Sequence, residues 1–352
     1  VTLSGASGSR RVAAAAYSPR HAGGHLEEQH DATAPTAPVV GDVGAGIGVV
    51  RSLVTGAGGF VGHHLVAHLQ EQGDEVLVTD FTVDQLDITD ADALLARLRQ
   101  DRPEAIYHLA GASDVGGSWN APHETFRANA EGTLNVLWAA REAGVERVLT
   151  IGSADVYGKV TPDDLPLTED SPLRPVSPYA ASKVAADAVA EQAFRGYGQH
   201  VVRTRPFNHL GPGQSDRFVA PALAARIAAN ERSGESEVRV GNLSPQRDFT
   251  DVRDVVRAYR LLVEHGRPGE VYNVCSGRAI AVEDLARTML TMATVPMELV
   301  ADPDLQRGVD IPVLLGDPGR LAADTGWEPR IPLDDTLADL LEDMRDRLSG
   351  TD

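Results

Sequence analysis

Tyr179 and Lys183 stand four residues apart in Tyr179-Ala-Ala-Ser-Lys183, which places a phenol and an ammonium on one helix face. A nearby cation favours the phenolate, so Lys183 would lower the Tyr179 pKa and the pair could move a proton near neutral pH. Ser153 lies upstream, just after a predicted strand, and its hydroxyl could hydrogen-bond a carbonyl. A glycine-rich turn, Gly56-Ala-Gly-Gly59-Phe-Val-Gly62, comes earlier still. Phosphate cradle, hydroxyl and Tyr/Lys pair, in that order, point to hydride chemistry on a carbon–oxygen bond. Tyr179 would donate the proton as a nicotinamide C4 delivers hydride, and would act as base in the reverse direction. Lys183 would also hold the nicotinamide ribose. The plain alternative is a surface Tyr and Lys on an Ala-rich helix.

The elements around these residues fit that chemistry. Arg51–Thr55 reads as a strand and Val61–Gln72 as a helix, so the glycine turn joins strand to helix. Gly56 permits the tight turn, Gly59 lets backbone approach a pyrophosphate, and Gly62 lets helix pack on strand. The helix N-terminus at Phe60 and Val61 then faces the phosphates. Asp80 ends the second strand, Glu75–Thr79, where its carboxylate could take hydrogen bonds from the adenosine ribose hydroxyls and repel a 2′-phosphate. No Arg or Lys lies between Gly56 and Arg97, which favours NAD(H) over NADP(H). A turn-forming Asp at a strand end is the bland alternative.

Asp87-Ile88 follows Asp80 too closely for a helical crossover of ~10–12 residues, so the second helix of the usual unit must be absent or reduced to a loop. Asp87 could reach adenine with Ile88 as apolar neighbour, or belong to a helix N-cap region. Leu109, Ala110, Gly111 and Ala112 close what the pattern counts as a fourth strand, with small side chains that allow a cofactor to approach. Asn129 could organise the site from the next helix or be a surface residue.

The repeating pattern continues through Ala91–Arg99 (helix), Ala105–Leu109 (strand), Glu124–Ala143 (helix), Arg147–Ile151 (strand), Pro178–Tyr197 (helix) and Val201–Arg205 (strand). Such alternation predicts an α/β, Rossmann-type doubly wound parallel sheet. After residue 206 the pattern loosens into a helix at 219–230, strand and loop at 237–250, a strand at Val271–Cys275 returning to the main sheet, a Pro-rich stretch at 296–332 and a helix at 333–348. We expect a Rossmann domain over 49–206 and a smaller, interleaved substrate-binding lobe over 207–352. Residues 1–48, rich in Ala, Gly, Ser, Pro and His, read as a disordered or upstream extension. Arg10-Arg11 before Val12–Ala16 has the start of an export signal, but the apolar run is shorter than ~7–15 residues.

The 352 residues are 42% hydrophobic, enough for a substantial core. With 51 acidic and 32 basic residues the net charge is -19, which argues against a nucleic-acid partner. A phosphate-bearing substrate must therefore meet local Arg or backbone N–H groups. No apolar run approaches the ~20 residues of a membrane span. Cys275 is the single cysteine, so an intramolecular disulfide and a thiolate metal cluster are excluded. In its predicted strand it reads as core, and no metal site is expected.

Taken together these residues resemble the extended short-chain dehydrogenase/reductase family over about residues 51–345. Arg205-Pro-Phe-Asn-His-Leu-Gly-Pro-Gly-Gln214, Arg247-Asp-Phe-Thr-Asp-Val-Arg-Asp254, Val271-Tyr-Asn-Val-Cys-Ser-Gly277, Asp310-Ile-Pro-Val-Leu-Leu-Gly-Asp317 and Thr325-Gly-Trp327 are similar to its branch of GDP-linked 4-keto-6-deoxy sugar reductases. The resemblance implies Ser153, Tyr179 and Lys183 as catalytic residues and Pro206 beside the nicotinamide amide. It implies Ser113, Asn208, Phe218, Val219, Arg247 and Arg307 on the substrate, with Arg247 and Arg307 on its diphosphate, where an Arg fork suits phosphate oxygens. Surface salt bridges are the alternative for both arginines. A cytoplasmic homodimer joined through the helices 124–143 and 178–197, acting on a nucleotide-diphosphate sugar, is the further implication.

Two departures bear on this. Reductases of this branch more often carry a basic residue near the second strand end, fitting NADPH, where this chain has Asp80. Arg217, before Phe218-Val219, is unusual beside a nucleotide pocket. The rival reading is a GDP-mannose 4,6-dehydratase, which needs an extra base that dehydratases usually supply as Glu two residues after Ser/Thr. Here Ser153-Ala154-Asp155 offers a shorter Asp and no acid at Ala154, favouring simple reduction to GDP-D-rhamnose. A sugar epimerase with retained NAD is a third reading, and a non-catalytic dinucleotide sensor a fourth.

Overall fold

Short runs dense in Val, Leu and Ile form the frame, because a strand covered on both faces needs no polar alternation. The structure is a computed structural model that describes residues 48–305 and 312–350. The expected N-terminal extension (all but Gly48) and Arg307, Asp310 and Ile311 lie outside the described residues. Strands β1 (Arg51–Thr55), β2 (Glu75–Thr79), β3 (Ala105–His108), β4 (Arg147–Ile151) and β5 (Val201–Pro206) follow one another along the chain. Next come β6 (Asn208–Leu210), β7 (Glu237–Val240) and β8 (Gln246–Asp251) of a second lobe, and β9 (Val271–Val274) returns to the first. The main sheet is six-stranded, ordered β2-β1-β3-β4-β5-β9. Every neighbouring pair in it is parallel.

Helices cover both faces. On one side α1 (Phe60–Glu71) supplies Leu65 and Leu69 to a core completed by β1, β3 and β4. On the other, α2 (Ala91–Asp101) packs on α4 (Gly132–Ala143), α4 on α5 (Pro178–Tyr197), and the short α3 (Pro122–Phe126) on α5. Leu94, Leu98, Val136, Leu137, Ala190 and Ala193 bury this face against Leu53, Ile106 and Val148. Full burial of each Leu or Ile there contributes ~1.5–3 kcal/mol. Its alanines let α4 and α5 lie close to the sheet.

The second lobe has its own core. Helix α6 (Val219–Ser233) precedes β7, and α7 (Val252–His265) crosses back to join α1 on the first lobe. Strand β10 (Ala279–Ala281), α8 (Val282–Thr291), β11 (Glu298–Ala301), β12 (Val313–Leu314) and α10 (Leu333–Ser349) complete it, while α9 (Gly319–Thr325) packs on α7 and β9. Leu223, Ile227, Leu285, Met289, Leu337 and Leu341 form its apolar centre. Strand β8 pairs with β6, β10 and β12, which ties the loop after β5 to the lobe. Leu321 and Trp327 pack into the first lobe's core, so the chain interleaves the two.

Several expectations are corrected. Ala110–Ala112 follow the third strand in chain order, because residues 80–90 hold turns and no strand between β2 and α2. The region 124–143 is not uniform: a π-helical segment, Arg127–Glu131, separates α3 from α4. The Pro-rich stretch 296–332 holds β11, β12 and α9.

Candidate active site

Helix α5 is set by its first turn. The Ser177 hydroxyl caps it by accepting from the Ala180 N–H at 3.1 Å, and Pro178 starts it with its φ already helical. The Tyr179 N–H donates to Ser118 Oγ at 3.2 Å. One turn on, Lys183 Nζ donates to the Ile151 carbonyl at 2.9 Å, joining α5 to the end of β4. Two residues beyond Ile151, Ser153 Oγ accepts the Asp155 N–H at 3.1 Å. That use of a lone pair leaves the hydroxyl hydrogen to donate outward.

Ser153, Tyr179 and Lys183 line a cavity of about 890 Å³ between the sheet's C-terminal edge and the second lobe. Its far end is the glycine turn. Gly56 has φ +72°, and a Cβ there would sit 2.6 Å from the Ala110 N; a Cβ on Gly62 would strike the Gly56 carbonyl. No side chain caps α1, so its first N–H groups, those of Phe60, Val61 and Gly62, meet the cavity. Bare amides at a helix N-terminus suit a pyrophosphate, and the turn leaves room only for glycine. Asp80, Asp87, Ile88, Leu109, Ala110, Gly111 and Pro206 line the same cavity, as does Ser113.

The adenosine end is organised by turns. Asp80 Oδ1 accepts the Thr82 N–H at 2.8 Å and its hydroxyl. Asp87 Oδ1 accepts from the Thr89 N–H and hydroxyl, both at 2.8 Å, while Asp90 caps α2. Asp87 is therefore a loop residue beside the cavity and not the N-cap. Asp84, unnoticed in the sequence, accepts from the Thr79 hydroxyl, the Asp80 N–H and Arg97. These bonds hold its carboxyl below the usual range despite burial, which pulls the other way. Arg97 also meets Asp101 and the Val78 carbonyl.

Burial dominates the catalytic titrations. It raises Tyr179 above the ordinary phenol value, the Asp155 charge adds to the rise, and Ser153 draws it partly back. Burial alone lowers Lys183 to about 8. The expected depression of Tyr179 by Lys183 is thus corrected: burial and the Asp155 charge raise the phenol, and Lys183 is not among the groups that shift it. Lys183 Nζ lies 6.0 Å from the Tyr179 ring centroid and is directed at Ile151. Asp155, on the same wall, is raised by burial and pulled down by Arg247. Asn129 is 1% exposed, not a surface residue. It lies in the π-helical segment and its amide grips the backbone of Ala112 and the hydroxyl of Ser182.

A second cavity of about 520 Å³ adjoins the first, sharing Asn208, His209, Gln214 and Phe218. Val219 and Arg247 line it with Arg217 and Arg226. Three guanidiniums at one cavity answer the chain's global negative charge. His209 and Gln214 escaped the sequence reading, although both fall inside the Arg205–Gln214 string. Cys275 is buried, with its thiol raised by burial, as a core residue would be.

Residues 52–275 match the model of the NAD dependent epimerase/dehydratase family. The chain belongs to this family. It is an NAD(P)-dependent oxidoreductase of the extended short-chain dehydrogenase/reductase type. Among this family's members it is similar to the GDP-6-deoxy-D-mannose reductase of Pseudomonas aeruginosa, 37% identical over 85% of this chain and 98% of that protein. It is also similar to the GDP-mannose 4,6-dehydratase of Sinorhizobium fredii, 28% identical over 75% of this chain and 81% of that one. The solved structure of RMD from Pseudomonas aeruginosa complexed with NADPH superposes with a TM-score of 0.79 at 37% identity, covering 85% of this chain and all of that one. Among the described residues no helix is long and apolar enough to cross a membrane.

Proposed function

We propose that this protein reduces the C4 ketone of GDP-4-keto-6-deoxy-D-mannose, giving GDP-D-rhamnose. A reduced nicotinamide dinucleotide, its pyrophosphate at the glycine turn, would supply hydride to the sugar C4. The Ser153 hydroxyl donates to the ketone oxygen, fixing its position. Tyr179 gives that oxygen its proton, and Lys183 holds the nicotinamide ribose and returns the positive charge the phenolate needs. Arg247, with Asn208, Phe218 and Val219, takes the nucleotide diphosphate, and Arg307 is a further candidate for it. The observation that carries this reading is the continuity of the two cavities: a donor set at one wall of the first, guanidiniums lining the second.

The chain's own acids favour reduction over elimination. Ala154 is 2% exposed and turned into the core, and Asp155 carries its carboxyl on a shorter stem than Glu. Asp80 supports NADH, because the nearby Arg97 is already engaged by Asp84, Asp101 and the Val78 carbonyl. The similar NADPH-bound structure is the observation on the other side. Exposed Phe126 and Leu134, on α3 and α4, support a homodimer through that helical face. A cytoplasmic enzyme of two interleaved lobes, divided near residue 206, completes the proposal.

The test is direct. Purified protein is given GDP-4-keto-6-deoxymannose with NADH or NADPH, and in parallel GDP-mannose without added cofactor. Cofactor oxidation in the first tube supports the reductase. Turnover in the second tube alone would make the protein a dehydratase or epimerase.

A further inference from the structure

His108 ends β3 behind the catalytic wall and plays no part in the chemistry described above. It is 3% exposed, and each ring nitrogen meets a buried threonine. His108 Nδ1 lies 2.9 Å from Thr55 Oγ1, and Nε2 lies 3.1 Å from Thr133 Oγ1. The partners fix the direction of both bonds. The Thr133 hydroxyl donates its single hydrogen to the Asn129 carbonyl at 2.6 Å, and a carbonyl can only accept. Thr133 Oγ1 therefore accepts from His108, and Nε2 carries the hydrogen. Nδ1 then accepts from the Thr55 hydroxyl, whose oxygen accepts the Ala110 N–H at 3.2 Å.

The result is a one-way chain: Ala110 N–H to Thr55, Thr55 to His108, His108 to Thr133, Thr133 to the Asn129 carbonyl. One end, Ala110, is on the cavity wall, and the other, Asn129, is buried behind it. Thr55 precedes the glycine turn and Ala110 lines the cavity. Asn129 continues the path, because its side chain binds the Ala112 backbone and donates to Ser182 Oγ at 2.8 Å. Ser182 in turn donates to the Tyr179 carbonyl at 2.7 Å.

We infer that His108 is a positioning residue, locked as the neutral Nε2–H tautomer, whose hydrogen-bond chain fixes the Ala110–Ala112 wall and the π-helical segment relative to the Tyr179/Lys183 helix. A second ring proton would meet the Thr55 oxygen and strand the Thr55 hydroxyl hydrogen without an acceptor. Burial lowers His108 to about 3, and the Lys183 charge pushes the same way. The neutral ring is what a directional relay of this length requires. The inference rests on the cofactor reading of this wall.

Two measurements on the full-length protein test it. In ¹⁵N-histidine NMR of the wild type, His108 shows the Nε2–H pattern with no titration around the ordinary imidazole value of about 6.5. An Nδ1–H pattern, or protonation near the ordinary histidine value, overturns the inference whatever the enzyme acts on. In kinetics, Thr133→Val cuts one link with a side chain of the same shape, and His108→Gln retains a neutral donor and acceptor. Thr133→Val and His108→Phe raise the KM for reduced cofactor about tenfold with a smaller change in kcat, and His108→Gln recovers most of the loss. An unchanged cofactor KM in folded Thr133→Val and His108→Phe proteins refutes the positioning role. Absence of any cofactor oxidation in the wild type would instead count against the proposed reaction.

Discussion

Arg205 Nη2 donates to Asp187 Oδ2 at 2.7 Å, with side chains 6% and 7% exposed. Asp187 stands one turn beyond Lys183 on α5, and Arg205 precedes Pro206 at the cavity end of β5. The pair therefore welds α5 to the strand that leads into the second lobe. Arg203 Nη1 adds a second bond to the same carboxylate at 3.1 Å.

Asp187→Asn leaves two buried guanidiniums without their shared anion. We expect a loss of about 3–5 kcal/mol in unfolding free energy, read from urea titration with an unchanged m-value. A loss below about 1 kcal/mol would mean the pair is solvated in solution and does not fix α5.

Lys183 carries an opposing demand of stability and function. Its pKa falls from 10.5 to about 8 on burial. Below about pH 8 the native state bears a desolvated ammonium; between 8 and 10.5 the unfolded chain binds more protons, so this group's contribution to stability rises with pH. Lys183→Met should stabilise the fold at pH 7 by on the order of 1–3 kcal/mol while removing activity. In the wild type, activity should fall above about pH 8 as Lys183 loses its charge. A destabilised Lys183→Met protein would contradict the burial argument.

Tyr179→Phe removes one oxygen from a buried site and nothing else. The rate should drop by about 10²–10⁴ with little change in substrate KM. Full activity in the variant would move the proton donor elsewhere, with Asp155 the nearest acid.

Cofactor choice should follow Asp80. The wild type should prefer NADH, and Asp80→Ala should shift the NADPH-to-NADH ratio of kcat/KM upward by about tenfold or more. A wild type that prefers NADPH would show that groups other than Asp80 and Arg97 decide.

Local signals carried most of the frame. The main-sheet strands announced themselves as short apolar runs, and the glycine turn and Tyr179/Lys183 spacing are written in consecutive residues. Helix α7 was passed over, although Val252, Val255, Val256, Tyr259 and Val263 hold a clear i, i+3, i+4, i+7 spacing. There the signal existed, diluted by the Arg and Asp between. The π-helical segment at Asn129 had no such signal: an inserted residue shifts the phase of the apolar pattern, and five residues are too few to show it. The Asp84–Arg97, Asp187–Arg205 and His108 partnerships join residues 13 to 53 positions apart, and only the tertiary fold brings them together. The titration of Tyr179 was misjudged for the same reason: sequence spacing reveals the cation but not the depth of burial.

The most direct measurement is a single-turnover assay with GDP-4-keto-6-deoxymannose and NADH labelled with deuterium at the transferable C4 position. The account predicts loss of nicotinamide absorbance and a GDP-6-deoxyhexose carrying one deuterium at sugar C4, formed by the wild type and not by Tyr179→Phe. Folded wild-type protein that leaves the reduced cofactor and the ketone unchanged would contradict it.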